Sequence, residues 1–375
     1  MTRQIYMDYN ATAPMPPRVI EAVASSLGQV GNPSSVHRFG RLARRAIEGA
    51  REAVAQAVGA KPAEILFTSG GSEANNLALK GAGRARILAS AVEHDSVLAA
   101  VSAVERIPVD RDGIVDLTAL DRMLNTDPTP ALLSVMLANN ETGAIQPIAE
   151  VVRVARAHGA LVHCDAVQGL GRMAFDLPAL DVDFASLSAH KLGGPMGTGA
   201  LYVRDGMVLQ AQIAGGGQER SQRAGTPNLS GIVGFGVVAQ QSRDDLQAME
   251  RVRELRDRLE TGLKRLQPSV RIFADNVARL PNTSCFAVAG LDSETQVIAL
   301  DLAGIAVSAG SACSSGRVQS SHVLRAMGAD PTLSGSAIRV SLGWQNEERD
   351  IDEFLTAWGS LLVRHAKSLQ TETAA

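Results

Sequence analysis

The stretch SLSAHKLGG, Ser186 to Gly194, closes the apolar run that begins at Val182, and its reading decides the fold. Val182–Leu187 has the length and composition of a buried strand ending in hydroxyls. Lys191 then stands among small and polar residues just past the carboxyl end of that strand. A lysine desolvated there can lose its proton and form a Schiff base with a carbonyl cofactor. Taken alone, Ser-x-x-Lys more often marks a surface turn. A second strand end upstream, HCDAVQ at His163 to Gln168, shifts the balance, because it closes another apolar run with an acid. An aspartate that keeps a pyridine nitrogen protonated, followed by a lysine that holds the aldehyde, is what pyridoxal phosphate requires.

The surrounding pattern places both residues in one kind of sheet. Apolar runs at Ile65–Thr68, Arg86–Ser90, Leu132–Leu137, Leu161–Cys164 and Phe184–Leu187 alternate with helical patterns such as Ile148–His158. Such alternation predicts an α/β fold with a mostly parallel sheet covered by helices and with its function at the carboxyl ends of the strands. The first run passes through Ser69-Gly70-Gly71-Ser72 directly into a helical pattern. Backbone N–H groups at such a turn make an anion site, to which Ser72 adds a hydroxyl. His94, the pair Asn139-Asn140, Asp165 and Lys191 also fall at strand ends. One such residue is usually a cap; five at successive ends argue for a site.

At 375 residues, 45% hydrophobic and 20% charged, the chain is long enough for two domains. A net charge of -3 supplies no footprint for nucleic acid. The opening MTRQIYMDYN lacks an apolar leader, and no run approaches the roughly 20 apolar residues of a membrane span, so a cytoplasmic protein without a membrane partner is expected. Cys164, Cys285 and Cys313 form no CxxC, which argues against a disulfide framework or an intrinsic metal site. Long helical patterns fill Leu229–Leu266. Beyond Pro268 come shorter elements: strands near Ser284–Val288 and Ala337–Ser341, and helices over Glu294–Leu302 and Glu347–Ala366, the last with Asn346 as its cap. Between them, ten of the fourteen residues from Ser308 to Ser321 are Ser, Gly or Ala, too little apolar surface to pin the segment. Cys164 and Cys285 sit in strand patterns and read as small buried hydrophobes, whereas Cys313 stands in this mobile, accessible loop, where a thiol is conspicuous unless used.

Taken together, DYNATAP, GNPSSVHRFG, FTSGGSEANN, NNETGAIQPI, HCDAVQ, SAHKLGGPMGTG, GGGQERSQRAGTPN, SAGSACSSG and RVSLG resemble the cysteine desulfurases. These are the NifS/IscS-like group of the class V aminotransferase family, and the serine-rich Cys313 loop is similar to that of group I. The resemblance runs from Tyr6 to about Asp352. It implies the type I fold of pyridoxal-phosphate enzymes, with a large cofactor-binding domain at 14–248 and a small α+β domain from 1–13 and 249–375. It also implies a homodimer with its sites at the subunit interface. By resemblance, Lys191 is the Schiff-base lysine, Asp165 the partner of the pyridine nitrogen and His94 the imidazole stacked on the ring. Asn140 and Gln168 match the groups at the ring's phenolic oxygen. Gly71, Ser72, Ser188 and His190 match the phosphate cradle, and Thr226 matches its contribution from the other subunit. Arg339 resembles the clamp on the substrate carboxylate, a task suited to its planar fork, and Asn140 and Asn32 belong with the substrate site.

The implied reaction takes L-cysteine to L-alanine and leaves a persulfide on Cys313, which the mobile loop carries to a sulfur acceptor such as an iron–sulfur scaffold. No intrinsic metal is implied, although Cys313 could hold an iron–sulfur cluster in passing. Three features depart from the family: Ser72 stands where threonine is commoner, Ala74-Asn75 replaces Ser-Asp, and the chain stops soon after its last helix, which leaves the acceptor open. Two other readings remain at this point. One is a class V aminotransferase or other lyase with Cys313 incidental, and the other is a non-catalytic sulfur carrier or assembly subunit. A nucleotide site at Gly70-Gly71 is weaker, since neither GxGxxG nor a P-loop lysine accompanies it.

Overall fold

The computed structural model describes the backbone of residues 3–310 and 321–373, with side chains except those of 243, 245 and 367–373. Cys313 lies outside the described residues. Among the described residues no helix is long and apolar enough to cross a membrane.

The apolar runs assemble into a seven-stranded sheet in the order Ile65–Thr68, Gly199–Val203, Phe184–Ser188, Leu161–Asp165, Ala131–Ser134, Arg86–Ser90, Val104–Ile107. Only Gly199–Val203 runs antiparallel to its neighbours. Except for the edge strand Val104–Ile107, every strand is buried or nearly so on both faces, which is why these segments read as continuous apolar runs rather than as alternations. Successive residues serve opposite cores: Leu133 packs with Val54, Val162 and Phe235, and Leu132 with Leu66, Leu79 and Leu201.

Three boundaries differ from those expected. The strand expected over Leu132–Leu137 ends at Ser134. Beyond it the Met136 N–H is taken by the Glu93 carboxyl at 2.6 Å and leaves the ladder. Asn346 does not cap the last helix, because its Oδ1 accepts from the Gly343 N–H and the Glu347 N–H turns to Asp350. That helix, Glu348–Thr373, continues past Ala366, since no proline or glycine follows to break it.

The rest of the chain forms a second, smaller core. A four-stranded antiparallel sheet runs in the order Ser308–Ala309, Ile338–Ser341, Thr283–Ala287, Arg271–Ile272, and Ile5–Tyr6 from the start of the chain pairs in parallel with Ile305–Ala306. Phe286 meets Phe354 and Trp358 edge-on at 6.3 and 5.7 Å, within the range of favourable ring pairs. The helix Leu229–Leu266 joins both cores, giving Ile232, Phe235 and Val238 to the first and Val252, Leu255, Leu259 and Leu263 to the second.

Candidate active site

Two neighbouring strand ends deliver the central pair. Leu161–Asp165 and Phe184–Ser188 are parallel, with Asp165 opposite Ser186. The second strand then makes a single 3-10 turn over Ala189–Lys191. Gly193 closes this turn at φ +90°, and a Cβ there would stand 3.0 Å from the Pro14 oxygen. The opening segment therefore lies against the lysine, whose Nζ donates to the main-chain oxygens of Asn10 at 2.6 Å and Ala11 at 2.9 Å. Beneath it, the buried guanidinium of Arg172 donates to the main-chain oxygens of Lys191 (2.8 Å), Tyr9 (3.0 Å) and Gln168 (3.2 Å), and to the Gln168 side chain. Burial, assisted by Arg339, lowers Arg172 to about 10, which leaves it charged at neutral pH.

Lys191 and Asp165 line one cavity of about 360 Å³ together with Gly71, Ser72, His94, Asn140, Gln168, Ser188, His190 and Arg339. Ten residues from four strand ends, the small sheet and the glycine turn, each singled out from the sequence, thus meet in one place. Asn32 and Thr226 do not line it; both are exposed, and Thr226 borders a separate cleft with Ser69 and Arg223. A larger cavity of about 450 Å³ behind Lys191 has mostly apolar walls and lacks the acid and hydroxyls of the first.

The groups around Asp165 explain what that cavity can hold. Its Oδ1 accepts from the Val167 N–H at 3.0 Å and its Oδ2 from Asn75 Nδ2 at 2.8 Å, so both oxygens are fixed. Burial, and then Asp165 itself, push the fully buried Glu93 well above the usual carboxylate range. His163 sits between the hydroxyls of Ser134 (2.8 Å) and Ser186 (2.9 Å), and burial lowers it to about 4. Among the described residues Asp165 makes no ion pair. A buried carboxylate so placed calls for a cation from a ligand, and a protonated pyridine nitrogen meets that requirement.

At the other end the donors suit an anion. The helix Gly71–Gly81 begins on Gly70 without a side-chain cap, and the Ser188 Oγ is buried without a partner among the described residues. A Cβ on Gly199 would come within 2.6 Å of the Gly70 carbonyl carbon, so this glycine lets the turn pack directly on the neighbouring strand. Burial, then Lys191 and Arg172, lower His190 to about 4, so it faces the cavity as a neutral ring. The residues present therefore fit pyridoxal phosphate at both ends.

Arg339 comes from the small sheet. It donates to Asp8 Oδ1 at 2.6 Å and to the Asn140 oxygen at 3.0 Å, while its buried Nε has no partner among the described residues. Both flanks of the serine-rich stretch also reach this region. Ser308 is paired with Arg339 in the sheet, and Ser321, where the described chain resumes, donates to Glu141 Oε2 at 2.6 Å. His322 Nε2 donates to the Glu93 oxygen at 2.8 Å, one residue from His94. The other two cysteines are chemically quiet, because burial raises both thiols far above neutral pH.

Asn10, Asn75, Ser96 and Arg172 escaped the sequence reading as site residues. Asn10 is a hub: its backbone and side chain bond Ser341, Asn140, Thr283, Asn282, Gln168 and Lys191. Its only signal was an unusually polar opening segment. Arg172 gave none, since arginine is seldom buried and nothing local marks one that is.

A fold with this cavity at its strand ends defines a cofactor-dependent enzyme, and the relatives agree. Residues 5–354 match the aminotransferase class-V family, to which the chain belongs. It is 44% identical over 367 residues to a cysteine desulfurase of Cereibacter sphaeroides, covering 94% of each chain. With cysteine desulfurase IscS of Dictyoglomus turgidum it shares 41% identity across 99% of this chain and 96% of the other. The crystal structure of a NifS-like protein from Rickettsia africae superposes with a TM-score of 0.90 at 38% identity, covering 96% of this chain and 99% of that one. Within its family this chain is a cysteine desulfurase.

Proposed function

We propose that this desulfurase converts L-cysteine to L-alanine by moving the substrate sulfur onto Cys313, with pyridoxal phosphate in the cavity of Lys191 and Asp165. The observation that carries the reading is the buried Asp165 carboxylate, held by two donors and without an ion pair among the described residues, in the same cavity as Lys191. When bound, pyridoxal phosphate supplies an electron sink next to the substrate α-carbon.

The chain's own groups divide the remaining work. Lys191 holds the cofactor aldehyde and, released by substrate, moves the α-proton. Asp165 keeps the pyridine nitrogen protonated, His94 covers the ring, and Asn140 and Gln168 hold its phenolic oxygen. Gly71, Ser72, Ser188 and His190 cradle the phosphate. Arg339 takes the substrate carboxylate, for which its Nε, without a partner among the described residues, is a ready donor. The Cys313 thiolate attacks the substrate sulfur: an S–S bond forms, the C–S bond breaks, and its electron pair stays with the carbon fragment that becomes alanine. Anchors at Ser308, paired with the cavity residue Arg339, and at Ser321, bonded to Glu141 beside Asn140, flank the Cys313 stretch, and Cys313 is three residues beyond Gly310, a separation that extended chain spans in about 10 Å.

A homodimer completes the site in this reading. Thr226 and Asn32 are exposed here and serve the partner's cavity, and Val30, Val36, Phe39 and Leu42, at least half exposed, give the apolar surface on which a second copy packs. Residues 14–248 act as the cofactor domain, and 1–13 with 249–375 as the domain that carries Cys313, a division supported by the two cores. The persulfide passes to an acceptor such as an iron–sulfur scaffold. A reducing cytoplasm suits free thiols such as Cys164 and Cys285.

The test is to incubate the holoenzyme with L-cysteine and measure alanine, sulfide and Cys313 persulfide together. Equal alanine and sulfur, with the persulfide on Cys313, is the expected result; an amino-group transfer to an oxo acid without sulfur release would assign the cavity to an aminotransferase instead.

A further inference from the structure

Asp165 and His94 are joined by two side chains that no part of the proposed chemistry uses. Asn75, on the first turns of the helix Gly71–Gly81, is 1% exposed, and its Nδ2 donates both to Asp165 Oδ2 at 2.8 Å and to Ser96 Oγ at 2.9 Å. Its Oδ1 is buried without a partner among the described residues. The opposite amide orientation would set that oxygen against the carboxylate, so the Nδ2 contacts determine the side chain's pose. Ser96 accepts from Asn75, which leaves its hydroxyl proton for His94 Nδ1 at 2.8 Å. The Ser96 backbone N–H points at the same Nδ1 from 3.1 Å. A backbone N–H can only donate, so Nδ1 is bare.

We propose that Asn75 and Ser96 form a hydrogen-bonded bridge that couples the Asp165 carboxylate to the His94 imidazole and fixes His94 as the neutral ring with its proton on Nε2. Asn75 and Ser96 are positioning residues for the desulfurase reaction. The proposal rests on the reading of Asp165 and His94 as cofactor contacts, and it adds that the two respond to one another. Charge placed against Asp165 changes the pull on Asn75, hence the hydroxyl of Ser96, hence the electron density at Nδ1. The ring above the cofactor is then always presented with an N–H on its outer nitrogen, never with a bare one.

The experiment is ¹⁵N NMR of histidine-labelled holoenzyme, with the His94 signals assigned by their loss in His94→Gln. A pyridine-like Nδ1 and a pyrrole-like Nε2 are expected. Ser96→Ala should move Nδ1 toward the position of a nitrogen with fewer donors, and Ser96→Thr should restore it. Asn75→Leu, which removes a residue that does not touch His94, should move Nδ1 in the same direction, and the double variant should move it no further than Ser96→Ala alone. The loss of a donor to a charged oxygen in Asn75→Leu should also weaken pyridoxal phosphate binding about tenfold.

A protonated Nδ1, or a His94 signal indifferent to both substitutions, overturns the bridge. If Asn75→Leu does not fold, the Ser96 pair decides alone. Repeating the measurement on cofactor-stripped protein separates the two readings. Bridge signals that persist there while added pyridoxal phosphate changes neither Nδ1 nor the absorbance would refute the cofactor site and leave the bridge standing.

Discussion

The Lys191 Nζ lies 2.6 Å from the main-chain oxygen of Asn10, which joins a residue just past the strand Phe184–Ser188 to the opening segment of the chain. Main-chain oxygens in that position orient the amine toward the cavity it shares with Asp165. Lys191→Ala is therefore expected to fold and to lose the covalent hold on pyridoxal phosphate. Borohydride treatment of the wild type should fix the cofactor to the peptide containing Lys191. Label on any other lysine would refute the assignment.

Asp165→Asn keeps the shape and removes the charge. Without a carboxylate the pyridine nitrogen is not held protonated, and turnover should fall by about a hundredfold to a thousandfold, the usual loss for one preorganised electrostatic group. Cofactor absorbance should survive at saturating pyridoxal phosphate. Turnover within a factor of a few of the wild type would remove Asp165 from its role.

His163 gives the fold a defined acid limit. Its folded-state value is lowered from 6.5 to about 4 by burial, so the unfolded chain binds a proton that the folded chain refuses. The contribution of the neutral ring is present above about pH 6.5 and is lost as pH falls toward 4, a change on the order of 3 kcal/mol. Measured between those limits, the thermal midpoint of the wild type should fall more steeply than that of His163→Gln. Parallel curves would show that His163 is not the group responsible.

Much of this was legible in the sequence because a parallel sheet buries its strands on both faces and so writes them as apolar runs with polar residues at their ends. Asp165, Lys191 and His94 were visible for that reason. The edge strand Val104–Ile107 was not, since Glu105 and Arg106 are exposed and Glu105 pairs with Arg86 at 2.6 Å, leaving no apolar run to read. The Asn75–Ser96 bridge was equally hidden: two small polar side chains 21 residues apart carry no pattern until the fold brings a helix start and a strand end together.

Mixed dimers test the shared site. Lys191→Ala chains combined with Thr226→Ala chains form heterodimers in which one cavity receives a wild-type Lys191 and a partner's wild-type Thr226. These should recover about half the wild-type activity per dimer if Thr226 serves the partner's phosphate cradle and both homodimers are inactive. Activity that merely averages the two parents would place Thr226 outside the site.

The most direct measurement is on Cys313→Ser. Cofactor, lysine, acid and carboxylate clamp are all untouched, and only the thiolate is replaced, by a hydroxyl that stays protonated at neutral pH. Mixed with L-cysteine, the variant should change the cofactor absorbance, showing that substrate binds, yet form no persulfide and almost no alanine or sulfide, while the buried Cys164 and Cys285 remain unmodified. Alanine and sulfide at the wild-type rate without added reductant would contradict sulfur transfer to Cys313.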